Sequence, residues 1–125
     1  MKILVIDKSP QFLQAARNFI GVLPACECLT AASLQEALGL EAARQADMVL
    51  IDYSLRSAGG ESAARRFKAL APAARVVLLT EDVAAYRDSC MAAGADECAA
   101  KDAIGRDLPR LVAHIGSNRK GKAFA

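Results

Sequence analysis

Three stretches of this chain set four apolar residues in a row and end on a polar one: Ile3-Leu-Val-Ile before Asp7, Met48-Val-Leu-Ile before Asp52, and Val76-Val-Leu-Leu before Thr80. Runs this short and this uniformly apolar read as strands buried on both faces. That is the pattern of a parallel sheet covered by helices, not of a sheet with one wet face. The polar residue that ends each run then sits at the carboxyl end of its strand. Ligands of open α/β sheets bind just beyond that edge, which makes Asp7, Asp52 and Thr80 candidates for chemistry. Each taken singly has an ordinary explanation: an aspartate capping the next turn, or a threonine packing by its methyl group. Their shared placement is what favours a site.

Between these runs the apolar period becomes helical. Ser9-Pro10 opens a helix to about Ile20, the serine capping free amides and the proline filling the first helical position. Its apolar stripe is Phe12, Ala16, Phe19, Ile20 and Leu23. Cys26 to Ala32 alternates weakly, as an edge strand does. Ser33-Leu-Gln-Glu36 has the form of a capping box and predicts a second helix to about Arg44. Tyr53 to Gly60 reads as a loop, and Glu61 to Leu70 as a third helix with Ala63, Phe67 and Leu70 inward. Asp82 caps a fourth helix bearing Val83, Tyr86, Cys90 and Met91, stopped by Gly94. A short strand near Ala95 to Ala99 leads to Lys101. Leu108, Leu111, Val112 and Ile115 define a last helix at about 107–116, with Pro109 tolerated only in its first turn. Five strand-then-helix units in succession predict a doubly wound α/β fold.

Composition narrows the classes. A chain of 125 residues closes a single core, and 54 % hydrophobic with 24 % charged residues is the balance of a globular domain. The amino terminus meets Asp7 after only four apolar residues, too soon for a signal peptide or a spanning helix, so a cytoplasmic protein is expected. Cys26, Cys28, Cys90 and Cys98 form no CxxC, and the chain has one histidine, so reduced thiols packed as small hydrophobes are expected. A dispersed net charge of +2 argues against direct nucleic-acid or membrane binding. The lack of GxGxxG and P-loop sequences argues against a nucleotide-binding or redox enzyme. Past Gly116 the apolar period is lost. The reading is one domain over residues 1–117, then 118–125 as a frayed basic tail with Arg119, Lys120 and Lys122, or as the start of a linker.

Four polar residues distant in sequence, Asp7, Asp52, Thr80 and Lys101, therefore meet at one sheet edge. From about residue 2 to 116 the chain resembles the receiver domain of two-component response regulators. The resemblance rests on Ile-Leu-Val-Ile-Asp7, Asp52-Tyr-Ser-Leu with Gly60 eight residues on, Val-Leu-Leu-Thr80, and Ala93-Gly-Ala-Asp96 followed by Lys101. It implies a flavodoxin-like (βα)5 fold with five parallel strands in the order 2-1-3-4-5. It also implies a phosphoacceptor domain rather than an enzyme, with self-catalysed phosphoryl transfer and autodephosphorylation. Asp52 would take a phosphoryl group from a histidine kinase or a histidine phosphotransfer protein. Lys101 would pair with one phosphoryl oxygen, Thr80 would donate a hydrogen bond to another, and Mg²⁺ would neutralise the rest. The metal's ligands would be Asp7, Asp52 and the backbone carbonyl of Ser54. Output would pass through the 83–116 face, bearing Tyr86, Arg87, Arg106 and Arg110, to a second copy or a downstream protein.

The chain departs from the family where charge and switching are decided. Lys8 stands where receivers usually carry a second acid, so Asp7 and Asp52 are balanced by Lys8 and Lys101, and the demand for Mg²⁺ is weak or absent. Lys8 either pairs with Asp52, with a gross attraction of roughly 4 kcal/mol at about 4 Å before desolvation, or points to solvent while Glu81 supplies a compensating acid. Cys98 replaces the usual switch aromatic and offers only a small, weakly donating thiol. Asp102 and Arg56 replace prolines. Two readings follow: a phospho-accepting receiver with altered metal binding and switching, or a degenerate pseudo-receiver acting as a phosphorylation-independent interaction or dimerisation module.

Overall fold

The computed structural model describes the backbone of residues 1–55, 57–58 and 61–124 and the side chains of residues 1–55 and 62–115. The three apolar runs are the middle of one sheet: β1 (Lys2–Ile6), β3 (Met48–Asp52) and β4 (Arg75–Thr80). The edges are β2 (Glu27–Ala31) and β5 (Glu97–Ala100), giving the order β2-β1-β3-β4-β5 with every pairing parallel. This is the doubly wound, flavodoxin-like receiver fold that the sequence predicts. Parallel neighbours need crossover connections, and here these are α1 (Pro10–Gly21), α2 (Leu34–Gly39), α3 (Ala63–Leu70) and α4 (Val83–Ala92), with α5 (Ile104–Phe124) following β5.

Alternation along the central strands divides the interior in two. Leu4, Ile6, Val49, Ile51, Val76 and Leu78 pack with Phe67 of α3 and Cys90 of α4. Ile3, Val5, Met48, Leu50, Val77 and Leu79 pack on the other face with Ile20 of α1 and Leu108 and Leu111 of α5. All of these side chains are buried. The registers Ile6 with Ile51 and Asp52 with Leu79 bring Asp7, Asp52 and Thr80 to one edge of the sheet.

Side-chain caps start the helices where expected. Ser9 accepts from the Phe12 amide with Pro10 behind it, and Asp82 accepts from the Ala85 amide. In the capping box, Ser33 accepts from the Glu36 amide, while the Glu36 carboxylate reaches back one residue further than usual, to the Ala32 amide. The start of α3 also closes the end of α4: the Ser62 hydroxyl donates to the Ala93 carbonyl and Arg65 Nη2 to the Ala92 carbonyl at 2.6 Å. Gly94 completes that turn at φ +96°, where a Cβ would stand 2.8 Å from Arg65 Cγ.

Several boundaries differ from the sequence reading, each for a local reason. The second helix ends at Gly39, not Arg44. Glycine is a poor helix former, Leu40 turns to ψ 122°, and a separate 3-10 turn spans Glu41–Gln45. The third helix starts at Ala63, not Glu61, because Ser62 is its cap. Glu61–Ser62 instead pairs antiparallel with Ser57–Ala58, and Tyr53–Leu55 forms a 3-10 turn within the expected loop. Arg56, Gly59 and Gly60 lie outside the described residues. The last helix begins at Ile104 and continues to Phe124 rather than spanning 107–116, so Pro109 falls in its second turn. Pro109 is on the exposed side of the helix, where the bond its missing amide cannot make to the Gly105 carbonyl costs least. Met91, expected on the inward stripe, is 47 % exposed, and its neighbour Cys90 takes the buried place. The four cysteines are free thiols, and burial pushes Cys28 above its ordinary pKa, against the opposing charge of Arg17. Among the described residues no helix is long and apolar enough to cross a membrane.

Phe67 is fully buried beneath the sheet. Phe67→Ala is expected to lower stability by about 3–5 kcal/mol, read as a shifted urea midpoint. A second prediction concerns Glu97, which meets Arg75 of β4 at 3.0 Å and Arg110 of α5 at 2.8 Å. Burial opposes the ionised carboxylate, but hydrogen bonds and charge from the two arginines outweigh it, and the Glu97 pKa lies below its ordinary value. A depressed folded pKa lends stability that is complete above the unfolded value and is lost as pH falls through the folded one. Glu97→Gln should therefore be less stable at neutral pH and lose less on acidification. Parallel midpoint-versus-pH curves for the two proteins would contradict this.

Candidate functional site

Lys101 follows β5 directly and lies in the 3-10 turn Lys101–Ala103. Its ammonium stands 2.6 Å from Asp7 Oδ2 and 3.2 Å from Asp52 Oδ1, joining the ends of β1 and β3 across the sheet edge. It also lies 4.7 Å from the centroid of the Phe12 ring on α1. Burial disfavours the ammonium, but hydrogen bonds and charge from Asp7 and Asp52 more than offset this, and the Lys101 pKa rises above its ordinary value. A raised lysine pKa contributes stability that is fully present below the unfolded value and lost only as pH rises through the folded one, so Lys101 stays charged at neutral pH. Asp7 is 1 % exposed, and its other oxygen accepts from the Ser9 amide at 2.8 Å. Asp52 Oδ2 accepts from the Ser54 hydroxyl on the more exposed side of the site.

A cavity of about 400 Å³ opens over these groups, lined by Asp52, Thr80 and Lys101 together with Lys8 and Glu81. Thr80 is buried at the end of β4, and its hydroxyl accepts from the Asp82 amide at 3.3 Å, leaving its proton free to donate. Tyr53 and Tyr86 wall the cavity and stack on each other with centroids 4.8 Å apart. Lys8 is exposed on the rim, and Lys101 is the cation between the two acids. Cys98 is buried in the core around Phe67 and is no part of the cavity wall.

A model of the response regulator receiver domain family matches residues 3–115. The chain belongs to that family. Among solved structures, this receiver resembles a response regulator receiver domain protein from Clostridium thermocellum at 27 % identity and TM-score 0.76, covering 95 % of this chain and 96 % of that one. It also matches a structure of the P1 domain of CheA3 in complex with CheY6 from R. sphaeroides at 23 % identity and TM-score 0.79, covering 93 % and 96 %. A LuxR family DNA-binding response regulator from Silicibacter pomeroyi matches at 25 % identity and TM-score 0.72, covering 92 % and 90 %. None of the curated proteins searched matches the chain.

Receiver domains typically bind Mg²⁺ at their acidic pocket. The side chains of this receiver fit the ion poorly. Three of the four carboxylate oxygens of Asp7 and Asp52 accept a hydrogen bond, and the fourth, the buried Asp7 Oδ2, has the Lys101 ammonium at 2.6 Å as an ion-pair partner but no hydrogen bond. Among the described residues, no three His, Cys, Asp or Glu side chains group closely enough to hold a metal. Glu81 lines the cavity but makes no such group with the two aspartates.

The sequence pattern places Asp7, Asp52, Thr80 and Lys101 together, and three contacts lie beyond it. Ser54, expected to act through its backbone carbonyl, also bonds Asp52 through its hydroxyl. Phe12 belongs to an apolar stripe and also lies against the Lys101 ammonium. Tyr86, expected on the inward stripe and the output face, meets Tyr53 at the cavity. An aromatic directly after the strand-end acid was the one available signal for that last pairing.

Lys101 neutralises a carboxylate that is almost wholly buried. Lys101→Met is expected to destabilise this receiver by about 3 kcal/mol or more, because it strands the Asp7 charge. Adding Asp7→Asn should recover most of that loss in a chemical denaturation series.

Proposed function

We propose that this receiver accepts a phosphoryl group on Asp52 from a phosphohistidine, presented by a histidine kinase or a histidine phosphotransfer protein. The observation that carries this reading is Lys101 bridging Asp7 and Asp52 at the floor of a cavity that Thr80 also lines. Phosphoryl transfer asks little covalent chemistry of a protein; it needs an in-line acceptor and charge or donors around the transferring oxygens. Asp52 Oδ2, on the solvent side, is the acceptor oxygen once the Ser54 hydroxyl turns away. Lys101 then pairs with one phosphoryl oxygen, and the free Thr80 proton is donated to another. The domain is a phosphoacceptor, with self-catalysed transfer and autodephosphorylation as its own chemistry.

The output surface is the 83–116 face, open to a second copy or a downstream protein. Tyr86, Arg87, Arg106 and Arg110 are exposed on it, though Arg106 is held by Asp107 and Arg110 by Glu97. A second reading, a pseudo-receiver that binds partners without phosphate, draws on one specific observation: both oxygens of Asp52 already accept from internal donors before any phosphate arrives.

The two readings separate on incubation with a phosphorylated histidine phosphotransfer domain. A single acid-stable, hydroxylamine-labile phosphoryl adduct, lost in Asp52→Asn, is the expected outcome by intact mass. A folded protein that takes no phosphoryl group from this donor or from acetyl phosphate would leave the pseudo-receiver reading standing.

A further inference from the structure

We propose that the Lys8 ammonium is a phosphoryl-binding group that does for this receiver what a divalent cation does for its relatives, so that Asp52 is phosphorylated without metal. The proposal rests on Asp52 being the acceptor and concerns how the same pocket handles the charge that arrives there. The Lys101 ammonium is already committed to two carboxylates, and its nearer partner is Asp7 at 2.6 Å, with Asp52 at 3.2 Å. Phosphorylation turns the single negative charge of Asp52 into a dianionic acyl phosphate, and Glu81 on the rim adds to the negative field. One shared lysine does not balance that.

Among the described residues that line the cavity, Lys8 is the cation besides Lys101, and a bound metal is the alternative source of positive charge. The metal finds no group of three acidic or soft side chains among the described residues, and Asp7 Oδ1 and both oxygens of Asp52 already accept from protein donors. Lys8 follows Asp7 immediately at the carboxyl end of β1, is exposed, and lines the cavity that Asp52 and Thr80 line. Its flexible stem carries three rotatable donors, so the ammonium can swing over an oxygen of the phosphoryl group without backbone movement. The substitution is also balanced in charge: an ammonium in place of a carboxylate changes the pocket by two units, the charge of one divalent ion. With acetyl phosphate as donor, an oxygen of Asp52 attacks phosphorus and the bond from phosphorus to the acetate oxygen breaks. Acetate leaves with that electron pair, and no proton, metal or oxidant is consumed. Lys8 and Lys101 flank the phosphoryl oxygens while the charge moves.

The test compares wild type, Lys8→Ala, Lys8→Asp and Asp52→Asn, each with acetyl phosphate in EDTA and in excess Mg²⁺, followed by intact mass. Lys8 is exposed, so its variants are expected to fold. Wild type should form the adduct at comparable rates in EDTA and in Mg²⁺. Lys8→Ala should be slower in EDTA by about tenfold or more, the usual worth of one hydrogen bond to a charged group. Lys8→Asp should form the adduct only with Mg²⁺. An independent readout is intrinsic fluorescence, because the chain has no tryptophan and two tyrosines, and both stand at this cavity. Beryllofluoride should change that emission in EDTA for wild type and not for Lys8→Ala. An adduct on wild type that requires Mg²⁺, or a Lys8→Ala rate in EDTA equal to wild type, overturns the role of Lys8 while leaving Asp52 as the acceptor. Absence of any adduct and of any beryllofluoride response under both conditions removes the acceptor reading, and this proposal with it.

Discussion

Strands buried on both faces leave this chain few places to keep an ionised group. Along β1, β3 and β4 every inward position on either side is filled by Val, Ile, Leu or Met, and a charge set among them would lack partners. The first position at which a carboxylate can meet a cation is the strand end. Asp7 and Asp52 occupy it, and Lys101 reaches both from the end of β5. The site is thus a consequence of how the sheet is covered: the helices that bury the two faces leave its edges as the places where polar side chains converge.

That constraint explains which parts of the molecule were legible in the sequence. Four apolar residues followed by an acid specify a buried strand and its polar end at once, so the sheet and the positions of Asp7, Asp52 and Thr80 could be read directly, whereas the strand order came only with the resemblance to receiver domains. The caps at Ser9, Ser33 and Asp82 were equally plain, because a cap is a local pattern over four residues. Less was visible where a boundary depends on a contact distant in sequence. The start of α3 at Ala63 follows from Ser62, whose hydroxyl also holds the Ala93 carbonyl on α4. Pro109 looked like a residue that must sit in a first turn, and only the exposed side of a longer helix makes its second-turn position tolerable. The stacking of Tyr53 on Tyr86 and the approach of Lys101 to Phe12 join elements separated by a whole crossover, and no period in the sequence encodes them.

Electrostatically the pocket is closer to a closed ion cluster than to an open acidic cleft. A cleft of several carboxylates and one lysine is under repulsion and recruits a metal. Two carboxylates held by one lysine, a backbone amide and a hydroxyl are under less repulsion, with the buried Asp7 Oδ2 balanced by an ion pair and no hydrogen bond. Such a cluster keeps the Asp52 carboxylate oriented, and it lowers that carboxylate's reactivity for the same reason. The exposed Ser54 contact is the weakest of these restraints by position, since water can replace the hydroxyl without stranding a buried charge.

Signal transmission in such a pocket has to use the contacts that lead out of it. Cys98 is packed in the core around Phe67, and its register partner Leu78 is buried with it, so a movement there would have to disturb close packing. The route through β4 is shorter. The Thr80 hydroxyl holds the amide of Asp82, Asp82 caps α4 through the Ala85 amide, and Tyr86 on that helix rests on Tyr53, next in the chain to Asp52. These contacts form a loop that begins and ends beside the acceptor and contains the first turn of α4. A hydroxyl that turns toward a group on Asp52 gives up its alignment with the Asp82 amide, and the turn that this amide anchors is the part of α4 bearing Tyr86. The two tyrosine rings meet at an interplanar angle of 40°. In this receiver the contacts that join the surroundings of Asp52 to the surface therefore run through the cap of α4 and an aromatic pair on the cavity wall, while the thiol on β5 is packed in the core.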